Sequence, residues 1–222
     1  HPTITSPREM AHRLDEIDVE RGLERGLISQ WLAFFDATLS ERVTQLEEES
    51  FNKPSEAKFC LKYLLDPTQP LDLRGYQVFT VGQLVKVLAL FREPYLSAIE
   101  DLLYGRGLEI WIEAIAMAAP SKERQGATEL AERIAAIRKR LTNRRLGCFA
   151  LLYTLDPARP LYIAAYASID RLEELEGVLT AHPELFHAAM RLLSDGSFIE
   201  WMRAAHPDQT QDIEFLEHCM QQ

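Results

Sequence analysis

Two aspartates, Asp66 and Asp156, each stand directly before a proline, Pro67 and Pro157, in the near-identical segments "YLLDPTQPL" (63–71) and "YTLDPARPL" (153–161). A pair of carboxylates suits acid/base catalysis or the binding of a hard metal ion. The same residues also suit a turn, because Asp before Pro accepts backbone hydrogen bonds and Pro stops a preceding helix. No third polar group accompanies each Asp at a fixed spacing. The turn is therefore the favoured reading, with Asp66, Pro67, Asp156 and Pro157 as structural residues.

Other chemistry is thinly supplied. Six histidines are present, but no H-E-x-x-H motif. His182 and His187 are five apart, off a common helical face, and His206 with His218 and Cys219 is a weak zinc pattern. The G-x-S-x-G, P-loop and G-x-G-x-x-G motifs are all missing. Three cysteines, Cys60, Cys148 and Cys219, match no zinc or redox spacing and sit among apolar residues. They read as reduced, buried thiols of a cytoplasmic protein, with a Cys60–Cys148 disulfide the less favoured option. No cofactor, metal site or catalytic residue is expected.

The most distinctive charge feature is basic. Arg133, Arg138, Lys139, Arg140, Arg144 and Arg145 fall within thirteen residues of a chain whose net charge is -10. Arg138, Lys139, Arg140 and Arg144 are too close together to be neutralised locally. Arg138, Lys139, Arg140, Arg144 and Arg145 are thus the candidate partner-binding residues, for an acidic or phosphorylated protein segment. A solvated helix face is the alternative. An acidic chain gains little from nucleic-acid phosphates or an anionic membrane surface, so neither is an expected partner. No apolar run approaches a membrane span.

The elements that place these residues repeat. Tyr153 follows Tyr63 by 90 residues, and at that offset Phe59, Leu61, Leu65, Pro70, Leu71 and Tyr76 pair with Phe149, Leu151, Leu155, Pro160, Leu161 and Tyr166. Trp111 pairs with Trp201. Each copy predicts a short buried helix, the Asp-Pro stop, and a small hairpin or extended loop. A capping box follows, Thr80 with Gln83 and Asp170 with Glu173. Beyond it come a helix broken near Pro94 or Pro183, a second helix, a Gly-containing turn and a Trp-bearing helix. The match is poor around residues 81–97, where compensating shifts could hide. Ser6, Pro7 and Glu9 predict a capped helix start. From there the chain leads to Trp31, 80 residues before Trp111, so it is expected to begin inside a repeat with sequence removed upstream. The tryptophans read as core, with exposed anchors the alternative.

The expected fold is all-α: two full helical repeats and one N-terminal partial unit, with a possible hairpin after each Asp-Pro turn. Residues 1–50 form the partial unit and a connecting helix, and 51–120 one repeat. Residues 121–145 form a connecting amphipathic helix, and 146–222 the second repeat with a C-terminal helix. Linkers are expected near 50–56 and 117–126. The Y-x-L-D-P-x-x-P-L…W pattern resembles tandem helical repeats of large bacterial multidomain proteins that carry Ser/Thr kinase-like or Hsp70-like domains. That resemblance implies an accessory module and not an enzymatic activity. The expected function is a non-catalytic protein-interaction scaffold, with a peptide-binding chaperone-like module or a hydrolase with acidic residues at the repeat interface as alternatives.

Overall fold

Ser6 supplies the first start signal. Its hydroxyl accepts a hydrogen bond from the Glu9 backbone N–H at 3.2 Å, Pro7 fills the first turn, and Glu9 reaches back to the Thr5 N–H at 2.8 Å. In the computed structural model, which describes residues 4–49, 54–117 and 121–220, this opens α1 (Pro7–His12). There follow α2 (Val19–Glu24), α3 (Leu27–Leu32), α4 (Ala37–Glu49), α5 (Pro54–Leu65), strands β1 (Leu71–Leu73) and β2 (Tyr76–Val78), α6 (Val81–Ala89), α7 (Tyr95–Tyr104), α8 (Gly107–Met117) and α9 (Ser121–Arg140). The chain continues with α10 (Arg144–Leu155), β3 (Leu161–Ala164), β4 (Ala167–Ile169), α11 (Glu174–Ala181), α12 (Phe186–Ser194), α13 (Ser197–Ala205) and α14 (Thr210–Met220). Helix accounts for 68% of the structure, and the only sheets among the described residues are two antiparallel hairpins. The described parts of the two expected linkers are helical: α5 begins at Pro54 and α9 at Ser121.

Apolar spacing sets two cores. On α5, Ala57, Leu61 and Leu65 recur every fourth residue and pack with α1–α4 through Met10, Leu14, Val19, Leu23, Ile28, Leu32 and Val43. Phe59 and Tyr63, also four apart, lie on another face of α5 and join the larger core. That core runs without interruption from Tyr63 to Ile213 and includes Trp111 and Trp201. At its centre is α10, whose Cys148, Ala150, Leu151, Leu152 and Tyr153 are buried. Helices α6, α7, α9 and α13 pack around α10, which explains why its sequence is apolar on nearly every side.

Each Asp-Pro segment follows a helix. The Gln69 N–H donates to the Asp66 carbonyl at 3.1 Å, and the Arg159 N–H to the Asp156 carbonyl at 3.1 Å. Pro67 and Pro157 therefore occupy the second position of a four-residue turn, where their fixed φ fits. The hairpins that follow differ. In β1–β2 the partners are Leu71↔Val78, Asp72↔Gln77 and Leu73↔Tyr76. Its two turn residues, Arg74 (φ 53) and Gly75 (φ 92), have the positive φ that a tight hairpin turn needs. In β3–β4, Leu161 pairs with Ile169 and Tyr162 with Ser168, but Ala164 pairs with Ala167. One extra residue is therefore held in β3, a β-bulge.

The bulge corrects part of the 90-residue correspondence. Val78 corresponds to Ile169, and Tyr76 to Ala167, while Tyr166 lies in the turn before β4. The second capping box shifts too. Thr80 accepts from the Gln83 N–H at 3.2 Å and the Gln83 side chain accepts from the Phe79 N–H at 2.7 Å. In the second half only the reverse arm remains: Glu174, not Glu173, accepts from the Asp170 N–H at 2.9 Å. Helix α11 starts without a side-chain cap. Pro94 and Pro183 are 89 apart, so two residues are lost after the bulge and one is regained before the tryptophans, which stand 90 apart.

The same backbone conformation recurs five residues before each tryptophan. Gly26 (φ 63), Arg106 (φ 65) and Gly196 (φ 85) are all left-handed, ahead of Trp31, Trp111 and Trp201. Each one opens the helix that carries its tryptophan.

Candidate functional site

Asp66 terminates α5 and is buried. Its carboxylate accepts from the Thr68 N–H at 3.1 Å, the Thr68 hydroxyl at 2.6 Å, the Gln69 side-chain amide at 3.1 Å and Arg8 Nε at 3.2 Å. Burial alone would raise its pKa. The bonds from Thr68 and Gln69 outweigh that, with help from the Arg8 charge, and hold it below the ordinary value of 3.8. His12 Nε2 lies 3.5 Å from the same carboxylate. An activated nucleophile must donate to its base. Here the Thr68 hydroxyl donates to the Asp66 carboxylate and not to His12, and the depressed pKa makes that carboxylate a weak base. A cavity of about 350 Å³ lies beside this cluster, between α1 and α5, bordered by His12, Asp15, Lys58, Lys62 and Gln69. Lys58 closes on Asp15 across it at 2.7 Å.

Asp156 is a different residue in practice. Ala158 stands where Thr68 stood, so no hydroxyl reaches back. The carboxylate is half-exposed and its nearest charge is Arg159 at 3.9 Å. The two aspartates belong to separate turns, and neither borders the cavity between α1 and α5.

The basic cluster is split between two helices. Helix α9 ends at Arg140, and Asn143 caps α10 by accepting from the Arg145 and Leu146 N–H groups at 3.1 and 3.2 Å. Arg144 and Arg145 thus open α10 and do not continue α9. Nor is the cluster left unpaired. Arg138 forks Glu109 of α8 at 3.0 and 3.4 Å. Arg140 forks Glu200 of α13, one arm at 2.6 Å. Arg144 reaches Asp101 at 2.6 Å and lies over the Tyr104 ring at 5.4 Å. Lys139 and Arg145 are exposed and have no acidic partner among the described residues. Glu109 and Glu200 are both buried, and a buried carboxylate persists only when paired. Their sequence signal was a glutamate inside the apolar segments "LEIWIEAI" and "FIEWMRAA".

A second ionic cluster joins α5 to α8. Arg106 pairs with Glu56 at 2.9 Å and lies 3.7 Å from Glu109. Cys60 is half-buried on α5 and Cys148 is buried on α10; both are free thiols. Loss of water pushes each thiol up to about 12, which leaves neither a thiolate near neutral pH. The Cys219 side chain lies outside the described residues.

Trp111 and Trp201 are fully buried, and Trp31 is half-buried against Phe35. Phe35 is itself exposed, as are its neighbour Phe34, Leu27 on α3 and Phe215 on α14; the remaining exposed apolar side chains lie near the hairpins or at the end of α6. Tyr76 lies in β2, Phe79 directly after it, and Leu90 at the far end of α6. Tyr162 and Tyr166 lie on the second hairpin, and Phe186 and Met190 on α12, which packs on β3. Tyr166 is 67% exposed and its ring edge meets His182, centroids 5.9 Å apart.

Among the described residues no group of three acidic, His or Cys side chains is placed to hold a metal ion, and no helix is long and apolar enough to cross a membrane. No protein-family model, curated protein or solved structure matches the chain.

Proposed function

We propose that this chain is a non-catalytic protein-interaction scaffold made of tandem helical units, working as a regulatory module of a larger cytoplasmic bacterial protein. The observation that carries the reading is the set of exposed aromatic and aliphatic side chains at both hairpins: Tyr76 and Phe79 at the first, and Tyr162, Tyr166, Phe186 and Met190 on the second and on α12, which packs on it. Aromatic side chains left in water and clustered on neighbouring elements favour association with another protein. Tandem units are supported by the left-handed residue five positions before each tryptophan and by the paired Asp-Pro turns with their hairpins.

The test is capture of partners from the source cell by the wild-type chain and by Tyr166→Ser/Phe186→Ser. Both replaced side chains are exposed, so folding should persist. A partner retained by the wild type and lost from the double variant supports the reading. Identical capture by both proteins, or turnover of a substrate by the purified chain, overturns it.

A further inference from the structure

Helices α9, α10 and α13 border an open pocket of about 140 Å³. Arg133 and Arg140 of α9, Thr154 of α10, and Glu200 and Arg203 of α13 contribute to its wall. Three guanidiniums face Glu200 in this lining, and Glu217 just outside it pairs with Arg203, which leaves one positive charge uncompensated on a chain whose net charge is -10.

The buried Glu200 holds two of those guanidiniums in place. Arg140 forks it through two nitrogens. Arg203 donates to it at 2.8 Å and uses its other terminal nitrogen on Glu217. A guanidinium carries five N–H donors, so Arg140 and Arg203 each keep three. Arg133 pairs with no acid among the described residues, and the Thr154 hydroxyl, on a buried residue, has no hydrogen-bond partner there.

We propose that this cavity binds a phosphate monoester dianion. Arg133 and the spare donors of Arg140 and Arg203 would engage its oxygens, and the Thr154 hydroxyl would add a donor from the third helix. Arg133 brings a charge that no acid there offsets, and the anion would add to it the spare donors of two guanidiniums already held in place. Donors arriving from three helices suit a tetrahedral group, whereas the planar site of the Arg140 fork is already filled by Glu200. A fixed, partly dehydrated guanidinium pair needs little reordering to bind. As the recognition site for a phosphorylated partner the cavity rests on the interaction reading above. As a phosphate site it stands without it.

The experiment titrates the full chain with inorganic phosphate, free phosphoserine, a phosphoserine peptide and its unphosphorylated twin. Arginine side-chain and backbone NMR shifts are followed at matched ionic strength, because exposed charges are screened by salt. Inorganic phosphate and phosphoserine are expected to shift the Arg133, Arg140 and Arg203 signals with Kd on the order of 1 mM. Arg133→Gln, at an exposed position, should weaken binding about tenfold, and Thr154→Val by less. A phosphopeptide binding about tenfold or more tightly than phosphoserine assigns the source to a protein segment. Equal affinities assign it to a small phosphorylated metabolite. No saturable shift by about 50 mM phosphate, or unchanged binding by Arg133→Gln, overturns the proposal. These probes need no partner, and the capture variants leave Arg133 and Thr154 intact, so each reading fails or survives separately.

Discussion

The Tyr63 hydroxyl donates to the Pro70 carbonyl oxygen at 3.1 Å, and the Tyr153 hydroxyl to the Pro160 carbonyl at 3.1 Å. Each buried tyrosine reaches from its helix across the Asp-Pro turn to the residue that enters the hairpin. Loss of water raises both phenols, Tyr153 up to about 12, so they remain protonated donors at neutral pH. Tyr63→Phe or Tyr153→Phe leaves a proline carbonyl without this donor. Each should cost about 1 kcal/mol, measured as a lower urea midpoint with an unchanged slope. An unchanged midpoint would show that water replaces the bond.

Asp66 and Asp156 should behave unequally despite their shared motif. Asp66→Ala removes four hydrogen bonds to a buried carboxylate and should cost about 1–3 kcal/mol. Asp156→Ala, with one 3.9 Å ion pair at stake, should cost less than about 0.5 kcal/mol. The pH dependence follows from the same bonds. The folded-state pKa of Asp66 is depressed below 3.8. Its contribution is therefore complete above that value and is lost as pH falls through the folded pKa. The stability gap between wild type and Asp66→Ala should narrow below about pH 4, as followed by urea titrations at several pH values.

Arg106 occupies a left-handed position where Gly26 and Gly196 stand in the other tryptophan helices. That conformation costs a non-glycine residue about 1 kcal/mol or more, and its ion pairs with Glu56 and Glu109 are half-exposed at the arginine end. Arg106→Ala keeps the strain and loses the pairs. Arg106→Gly loses both. Thermal unfolding should therefore rank the glycine variant above the alanine variant, with the glycine variant within about 1 kcal/mol of wild type. The reverse order would show that the left-handed strain at this position is smaller than the backbone entropy glycine adds to the unfolded chain.

Gly147 is fixed by a neighbour. A methyl group there would collide with the Tyr104 hydroxyl and press on its ring at 3.2 and 3.3 Å. That hydroxyl donates to the Leu141 carbonyl at 2.8 Å and lies 3.2 Å from the Asn143 carbonyl, closing the α9–α10 junction. Gly147→Ala should cost about 1–3 kcal/mol. Pairing it with Tyr104→Phe should recover part of that loss, since the clash and the bond share one oxygen.

The helix starts and stops were legible because local rules write them: Ser6 and Thr80 as caps, Asp-Pro as a stop; the segments after each stop stayed open between hairpin and extended loop. The extra residue in β3 was not, because a bulge leaves the apolar alternation of Leu161, Ile163 and Ile169 looking like an ordinary strand. It moved the second capping arm from Glu173 to Glu174 and put Tyr166 in a turn. The basic cluster was visible as letters, but its meaning depended on Glu109, Glu200 and Asp101. These lie on elements that only tertiary packing brings to α9 and α10. Thr154 and Arg203 gave no local signal, since each matters only where three helices meet.

On α9 the grips are opposed. Arg138 holds Glu109 of α8 and Arg140 holds Glu200 of α13. Two residues rotate an α-helix by about 200°, so the clasps pull from nearly opposite sides of one rod. Rolling or sliding that rod by a single residue would break both at once. Helix α9 thus acts as an indexing pin: it sets the phase of residues 54–117 against residues 144–205, and a shear between them must release both clasps together.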